Sequence, residues 1–174
     1  MIRQDLGELL TELQLFGYGV ELGVASGWFS DIILRTSKLK LLFSIDKWDD
    51  HHDHGEYRSA VNLLKPHEER SVILKMSFIE AVSLFQDQTF DFIYIDGYAQ
   101  NGQDNGETLS TWWPKLKTGG VFSGHDYDEN NWYETFKEVN NFVDRYNLEL
   151  QVTDEDFPSW FCRKLPIFYH KNAN

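Results

Sequence analysis

Two strand-like runs end in side chains able to handle a proton or a cation. Phe90-Asp91-Phe92-Ile93-Tyr94-Ile95-Asp96-Gly97 delivers a carboxylate at its carboxyl end, and Phe122-Ser123-Gly124-His125-Asp126-Tyr127 delivers an imidazole and a second carboxylate. If the two runs are neighbours in one sheet, Asp96, His125 and Asp126 meet. Two acids and an imidazole at one point can hold Mg²⁺ or another divalent ion, with Asp96 and Asp126 as its oxygen ligands, to orient and acidify a hydroxyl. Without a metal, His125 alone serves as general base, because imidazole has a proton affinity suited to neutral pH. The plain alternative is that Asp126 caps a turn and His125 is hydrogen-bonded structure.

A second constellation lies near the N-terminus. Val20-Glu21-Leu22-Gly23-Val24-Ala25-Ser26-Gly27 is an apolar run opening into a turn of small residues, with a helical pattern from Trp28. A ligand can approach such a backbone closely where Gly23 and Gly27 carry no Cβ, with Ala25 and Ser26 between them. The following helix presents unpaired N–H groups to a carboxylate. Glu21 could hold the loop or a ligand's ammonium group. The spacing is E-x-G-x-x-x-G rather than the G-x-G-x-x-G of dinucleotide binders, which points to S-adenosylmethionine (SAM) rather than NAD. Asp46, in Ser44-Ile45-Asp46-Lys47-Trp48, ends the next apolar run, where an acid can accept both ribose hydroxyls. Lys47 follows it, and Trp48 is expected to cover an adenine or shape the entrance. Met76 and Ser77 follow the third run and border the same site, and Ser77 with Glu80 spells a helix capping box.

Other segments are set lower. His51-His52-Asp53-His54 resembles a metal cluster, but adjacent histidines in a loop cannot all aim at one centre and no second segment completes the set. It reads as a solvated loop or a flap over substrate. Tyr98 to Gly106 (YAQNGQDNG) reads as a polar lid. Trp112 and Trp113 end a helix at Pro114 and read as packing.

The elements that must position these groups alternate. Apolar runs at Tyr18–Leu22, Lys40–Asp46, Ser71–Lys75, Phe90–Asp96, Gly120–Gly124, Glu149–Thr153 and Trp160–Lys164 are separated by helical periodicities. Among those periodicities are the faces Tyr57, Ala60, Val61, Leu64 and Ile79, Val82, Phe85, and the long stripe Trp132, Phe136, Val139, Phe142, Val143, Tyr146. Near-continuous apolar strands imply a parallel sheet covered on both faces. Lys117-Thr118-Gly119-Gly120 is expected to be the turn into the fifth strand. The last two runs, with only a short acidic loop between them, should form an antiparallel hairpin. The fold class is therefore α/β, a Rossmann-like three-layer sandwich with a mainly parallel seven-stranded sheet whose last strand is antiparallel. One domain spans 1–174: an N-terminal amphipathic helix at 1–16, a cofactor-binding core at 17–128, and a helix with the terminal hairpin at 129–174.

Composition narrows the function. A formal charge of −12 and scattered basic residues argue against nucleic-acid binding. No apolar run approaches the length of a membrane span. The lone Cys162 cannot form an internal disulfide, so a reducing, cytoplasmic setting is expected.

Taken together, Val20–Gly27, Ser44–Trp48, Phe90–Gly97, the W-W-P-K-L-K-x-G-G…G-H-D-Y segment Trp112–Tyr127, and Ser159–Lys164 resemble the class I SAM-dependent methyltransferases. The specific likeness is to a small subfamily with an I-D-G motif after the fourth strand. The resemblance implies that Glu21, Gly23 and Gly27 meet the methionine part of SAM, Asp46 the ribose, and Met76 and Ser77 the adenine surroundings. Related metal-dependent O-methyltransferases place metal ligands where Asp96, His125 and Asp126 fall. Two departures stand out. His125 replaces the usual first carboxylate of the pair after the fifth strand, and Asp96-Gly97-Tyr98-Ala99-Gln100-Asn101 lacks the histidine of the subfamily's D-G-x-H-x-Y. The expected function is methyl transfer to a small-molecule acceptor, more at oxygen than at nitrogen or carbon, catalysed by Asp96, His125 and Asp126. Tyr98, Tyr127, Trp132 and Tyr133 would line the acceptor pocket, completed by the N-terminal helix, the flanking loops and a neighbouring subunit of a homodimer. The rival readings are a catalytically silent SAM-binding protein and an NAD(P)-binding oxidoreductase.

Overall fold

Strand β4 (Phe90–Ile95) is buried at all of its residues, with Ile93 and Ile95 packed into one apolar layer and Phe92 and Tyr94 into the other. A strand covered on both faces has no polar alternation to show, which is why its sequence reads as a continuous apolar run. Around it, the computed structural model, which describes residues 1–49, 54–97 and 104–166, sets a seven-stranded sheet in the order β3-β2-β1-β4-β5-β7-β6. The other strands are β1 (Tyr18–Leu22), β2 (Leu41–Asp46), β3 (Ser71–Lys75), β5 (Leu116–Gly124), β6 (Gln151–Val152) and β7 (Trp160–Arg163). Strands β1 to β5 pair parallel, whereas β7 runs antiparallel to both β5 and β6. The expected α/β class and terminal hairpin are what the structure shows.

Helices α1 (Leu6–Glu12), α2 (Trp28–Thr36) and α3 (His54–Leu64) supply core residues to one face. Helices α4 (Phe78–Val82), α5 (Glu107–Trp112) and α6 (Tyr133–Tyr146) supply the other. Trp112 and Trp113 are buried in that second layer, as packing residues. The chain order reverses between β1 and β4, so the loops leaving these two strands diverge and open a crevice at their carboxyl ends.

Several boundaries differ from the sequence expectation. The N-terminal helix does not fill 1–16: a 3₁₀ turn at Arg3–Asp5 precedes α1, and α1 stops where Gln14 takes a left-handed φ of 58°. The Leu15 N–H then returns to the Leu10 carbonyl at 2.9 Å and the Gln14 N–H to Thr11 at 3.1 Å, a Schellman stop made without glycine. Lys117–Gly120 is not a turn but part of β5, kinked at Gly119, whose carbonyl accepts from the Arg163 guanidinium at 2.6 and 2.9 Å. In α4 the buried residues are Phe78 and Ala81, and Ile79 is exposed: the face turned to the core is the Phe78–Ala81 (i, i+3) stripe and not the expected Ile79 face.

Candidate active site

The loop after β1 is built from backbone strain and one carboxylate. Gly23 sits at φ 94°, and a Cβ there would collide with the Asp96 carbonyl across the crevice. Gly27, at φ 86°, begins α2 without a side-chain cap hydrogen bond. Asp46 holds the arc between them: one oxygen accepts from the N–H groups of Val24 (2.8 Å) and Ala25 (3.0 Å), the other from Trp48 (3.1 Å). A carboxylate offers about four lone-pair sites. Three of them are engaged by these backbone N–H groups.

Trp48 also departs from expectation. Its ring is buried under the loop against Val24, Tyr57 and Ala60, and its indole N–H donates to the Ala25 carbonyl at 2.8 Å. It supports the loop from behind instead of covering a ligand at the entrance, because an indole with a backbone acceptor in reach is more favourably buried than exposed. Lys47 is exposed and reaches Asp49 at 3.4 Å, and Ser26 is half-buried in the loop.

Glu21 is buried within β1, where its carboxylate accepts from the Ser30 hydroxyl of α2, which in turn meets the Ser44 hydroxyl of β2 at 2.7 Å. Burial pushes the Glu21 carboxyl up to about 8, against the opposing pull of Ser30 and Arg3. On the far side of Asp46, the Met76 N–H donates to the Asp46 carbonyl at 3.0 Å, and Ser77 caps α4 in the capping box expected with Glu80. A cavity of ≈ 170 Å³ opens there between α4 and α5, lined by Ser77, Ile79, Asp104, Thr108 and Trp112 among others.

At the other end of the crevice, β4 and β5 do bring Asp96, His125 and Asp126 together, with one donor atom from each within 4.8 Å of the others. The His125 Nδ1 lies 2.9 Å from Asp126 Oδ1 and 3.5 Å from Asp96 Oδ1. Asp126 makes the shorter contact by adopting a left-handed φ of 58°, which aspartate tolerates better than most residues. An imidazole whose Nδ1 proton points at a carboxylate keeps Nε2 as its basic nitrogen, with the acid ready to stabilise the imidazolium.

One participant was not expected from sequence. The Arg3 guanidinium reaches Asp96 Oδ2 at 2.5 Å and lies over the rings of Phe29 (4.2 Å) and Tyr94 (5.0 Å). Burial opposes its charge, but Tyr94, Asp96 and Glu21 outweigh that and hold its proton more tightly than usual. Burial likewise raises the Asp96 carboxyl, while Arg3 and His125 pull it back down. Trp28, 49% exposed at the start of α2, stands beside this cation and is a second neighbour of the site that no local motif marks.

The expected aromatic lining is only partly assembled. The Tyr127 ring packs on Phe136 and its hydroxyl donates to Asn140 at 3.0 Å, so it is bound to α6; Trp132 is half-buried and Tyr133 exposed. Tyr98 and most of the loop to Gly106 lie outside the described residues, as do His51, His52 and Asp53; His54 opens α3 with its Nδ1 3.0 Å from Lys75 Nζ.

A family model described as a methyltransferase domain matches residues 20–127, which include the β1 loop, Asp46, Asp96 and His125–Asp126. No curated protein matches the chain. Among solved structures, a methyltransferase from Geobacter sulfurreducens superposes with a TM-score of 0.70 at 15% identity, covering 94% of this chain and 78% of its own. An O-methyltransferase from Bacillus cereus in complex with SAH gives 0.67 at 13% identity, covering 93% and 80%. A SAM-dependent O-methyltransferase from Thermotoga maritima gives 0.67 at 16%, covering 94% and 65%. At such identities these structures establish the shared fold.

Proposed function

From the membership of this chain in the class I SAM-dependent methyltransferase family, we propose that it moves the methyl group of SAM to a hydroxyl oxygen of a small-molecule acceptor, with His125 as general base. The observation that carries this reading is the His125–Asp126 contact of 2.9 Å, made at the carboxyl end of β5, the strand beyond β4 from the glycine loop of β1. The sulfonium is already an activated donor, so the protein has two tasks: to align the acceptor oxygen behind the methyl group and to take its proton. His125 Nε2 accepts that proton as the O–CH₃ bond forms and the S–CH₃ bond breaks, leaving its electron pair on sulfur. Asp126 stabilises the resulting imidazolium.

In the same reading, Gly23 to Gly27 and the start of α2 receive the methionine part, Asp46 the ribose, and the Met76–Ser77 segment with its cavity the adenine. Glu21 acts on the loop through Ser30, not on the ligand. The Mg²⁺ alternative fits the donor set poorly. One Asp96 oxygen is already paired with the Arg3 guanidinium at 2.5 Å, and the His125 Nδ1 lies against the other Asp96 oxygen and Asp126 at 3.5 and 2.9 Å, so the one or two carboxylates such an ion needs are taken up by cationic and ring partners. The mechanism therefore contains no metal step. Cys162 is buried, and burial pushes its thiol up to about 12, which leaves it unreactive. Among the described residues no helix is long and apolar enough to cross a membrane.

Calorimetric titration with S-adenosylhomocysteine and with NAD tests the cofactor. Binding of the former alone is expected, and binding of NAD alone would return the chain to the oxidoreductase reading. With an acceptor in hand, His125→Ala should lower kcat by about 10²–10⁴ while leaving S-adenosylhomocysteine affinity within a few-fold. Undiminished turnover would remove His125 from the chemistry.

A further inference from the structure

Arg3 enters the reaction centre from outside the sheet. Its 3₁₀ turn is fixed at the β6–β7 loop: the Arg3 N–H donates to Glu155 Oε1 at 2.8 Å, and the Met1 carbonyl accepts from the Asp154 N–H at 3.0 Å. Glu155 Oε1 also accepts from the Thr153 hydroxyl at 2.8 Å, so the anchor is itself held. Between this anchor and Asp96 the side chain is 12% exposed and stacked on Phe29 and Tyr94. A planar guanidinium can stack on rings and bond a carboxylate at once, which an ammonium group does less well.

We infer that Arg3 is the resident cation of this site: its guanidinium fills the electrostatic role a divalent ion would otherwise take beside Asp96 and Asp126, and the N-terminal turn is thereby part of a metal-independent reaction centre. The inference rests on the methyltransferase reading above. Charge accounting carries it. Asp96 and Asp126 contribute two negative charges and Arg3 one positive, leaving one net negative charge beside the sulfonium. Methyl transfer removes the positive charge from sulfur and places a proton on His125, so the same negative charge faces a positive partner before and after the reaction. A divalent ion added to Arg3 would make the cluster positive next to a sulfonium and then next to an imidazolium, which Coulomb's law disfavours at these distances. Arg3 is a positioning residue: it acts through Asp96 and need not touch the acceptor.

The experiment is a titration of the full chain with Mn²⁺, followed by calorimetry and paramagnetic resonance in the presence of S-adenosylhomocysteine. It compares the wild type with Asp96→Ala, Arg3→Ala, Arg3→Lys and Arg3→Ala/Asp126→Ala. The wild type and Arg3→Lys should show no saturable Mn²⁺ binding in the micromolar range. Arg3→Ala should gain at least about tenfold in Mn²⁺ affinity as the competing charge is removed, and the double variant should lose that gain. Micromolar Mn²⁺ binding by the wild type that falls in Asp96→Ala would overturn the inference. So would an Arg3→Ala protein, folded by its melting transition, that gains no metal affinity. A loss of more than about tenfold in S-adenosylhomocysteine affinity in Arg3→Ala, some 1.4 kcal/mol, would put Arg3 on the cofactor and also overturn it. If Arg3→Ala fails to fold, the wild-type and Arg3→Lys titrations still decide. Failure of the wild type to bind S-adenosylhomocysteine is a separate result and counts against the methyltransferase reading itself.

Discussion

Replacing Glu21 by Gln should make the protein more stable in alkaline than in acid solution relative to the wild type. Glu21 is buried in β1, and burial lifts its carboxyl from 4.5 in the unfolded chain to about 8 in the fold. An acid whose folded value is raised keeps its proton while the unfolded chain has lost it. Stability is therefore unaffected below about 4.5, falls as pH rises from there, and levels off above about 8. A tenfold change in proton affinity is worth ~1.36 kcal/mol, so the rise from 4.5 to about 8 corresponds to an upper limit of roughly 5 kcal/mol. Most of this, roughly 3 kcal/mol, should appear between pH 5 and pH 8. Glutamine retains the shape and an acceptor for the Ser30 hydroxyl but never ionises. Urea denaturation of wild type and Glu21→Gln at both pH values, without cofactor, isolates the effect, because all other titrating groups cancel in the difference. The variant should gain on the wild type by a few kcal/mol across that interval. A difference independent of pH would refute the reasoning and mean that Glu21 ionises normally, with Arg3 as its counter-ion.

Two further substitutions probe the loop. Asp46→Ala strips acceptors from the N–H groups of Val24, Ala25 and Trp48 together; a loss of about 2–4 kcal/mol in denaturant unfolding is expected, with S-adenosylhomocysteine binding reduced beyond calorimetric detection. Retained affinity would show that the loop holds its shape without this carboxylate. Gly23→Ala must place a Cβ against the Asp96 carbonyl at a φ of 94°, so it should cost about 2–4 kcal/mol and weaken binding at the crevice; a melting temperature equal to wild type would show that the crevice can open to admit a methyl group.

The parts of this molecule visible in its sequence are those governed by neighbours in the chain. The continuous apolar run of β4 identifies a strand buried on both faces, and Ser77 with Glu80 identifies the start of α4. Asp96, His125 and Asp126 can be grouped because each follows the end of a parallel strand, and topology does the rest. Sequence and structure part where a local pattern has two physical solutions. Trp48 after a strand-end acid suits either a lid or a buried support, and the choice is made by the Ala25 carbonyl, 23 residues away. Lys117-Thr118-Gly119-Gly120 has the composition of a turn, yet Arg163, 44 residues from Gly119, supplies the bonds that let it run as a kinked strand.

Arg3 is the limiting case of the same principle. Nothing in Met1-Ile2-Arg3-Gln4-Asp5 distinguishes it from a solvated cation on an amphipathic helix, and its partner Asp96 is 93 residues distant. Three separate elements must come together before its position has meaning: the hairpin loop that binds its backbone through Glu155, α2 and β4 that supply Phe29 and Tyr94, and the carboxyl end of β4 that supplies Asp96. Asp96 by itself resembles a metal ligand in this architecture, and the Arg3 guanidinium beside it, together with the His125 ring, argues otherwise. The inference that Arg3 takes the place of a divalent ion here therefore turns on a residue of the N-terminal 3₁₀ turn, 93 positions from the carboxylate it meets.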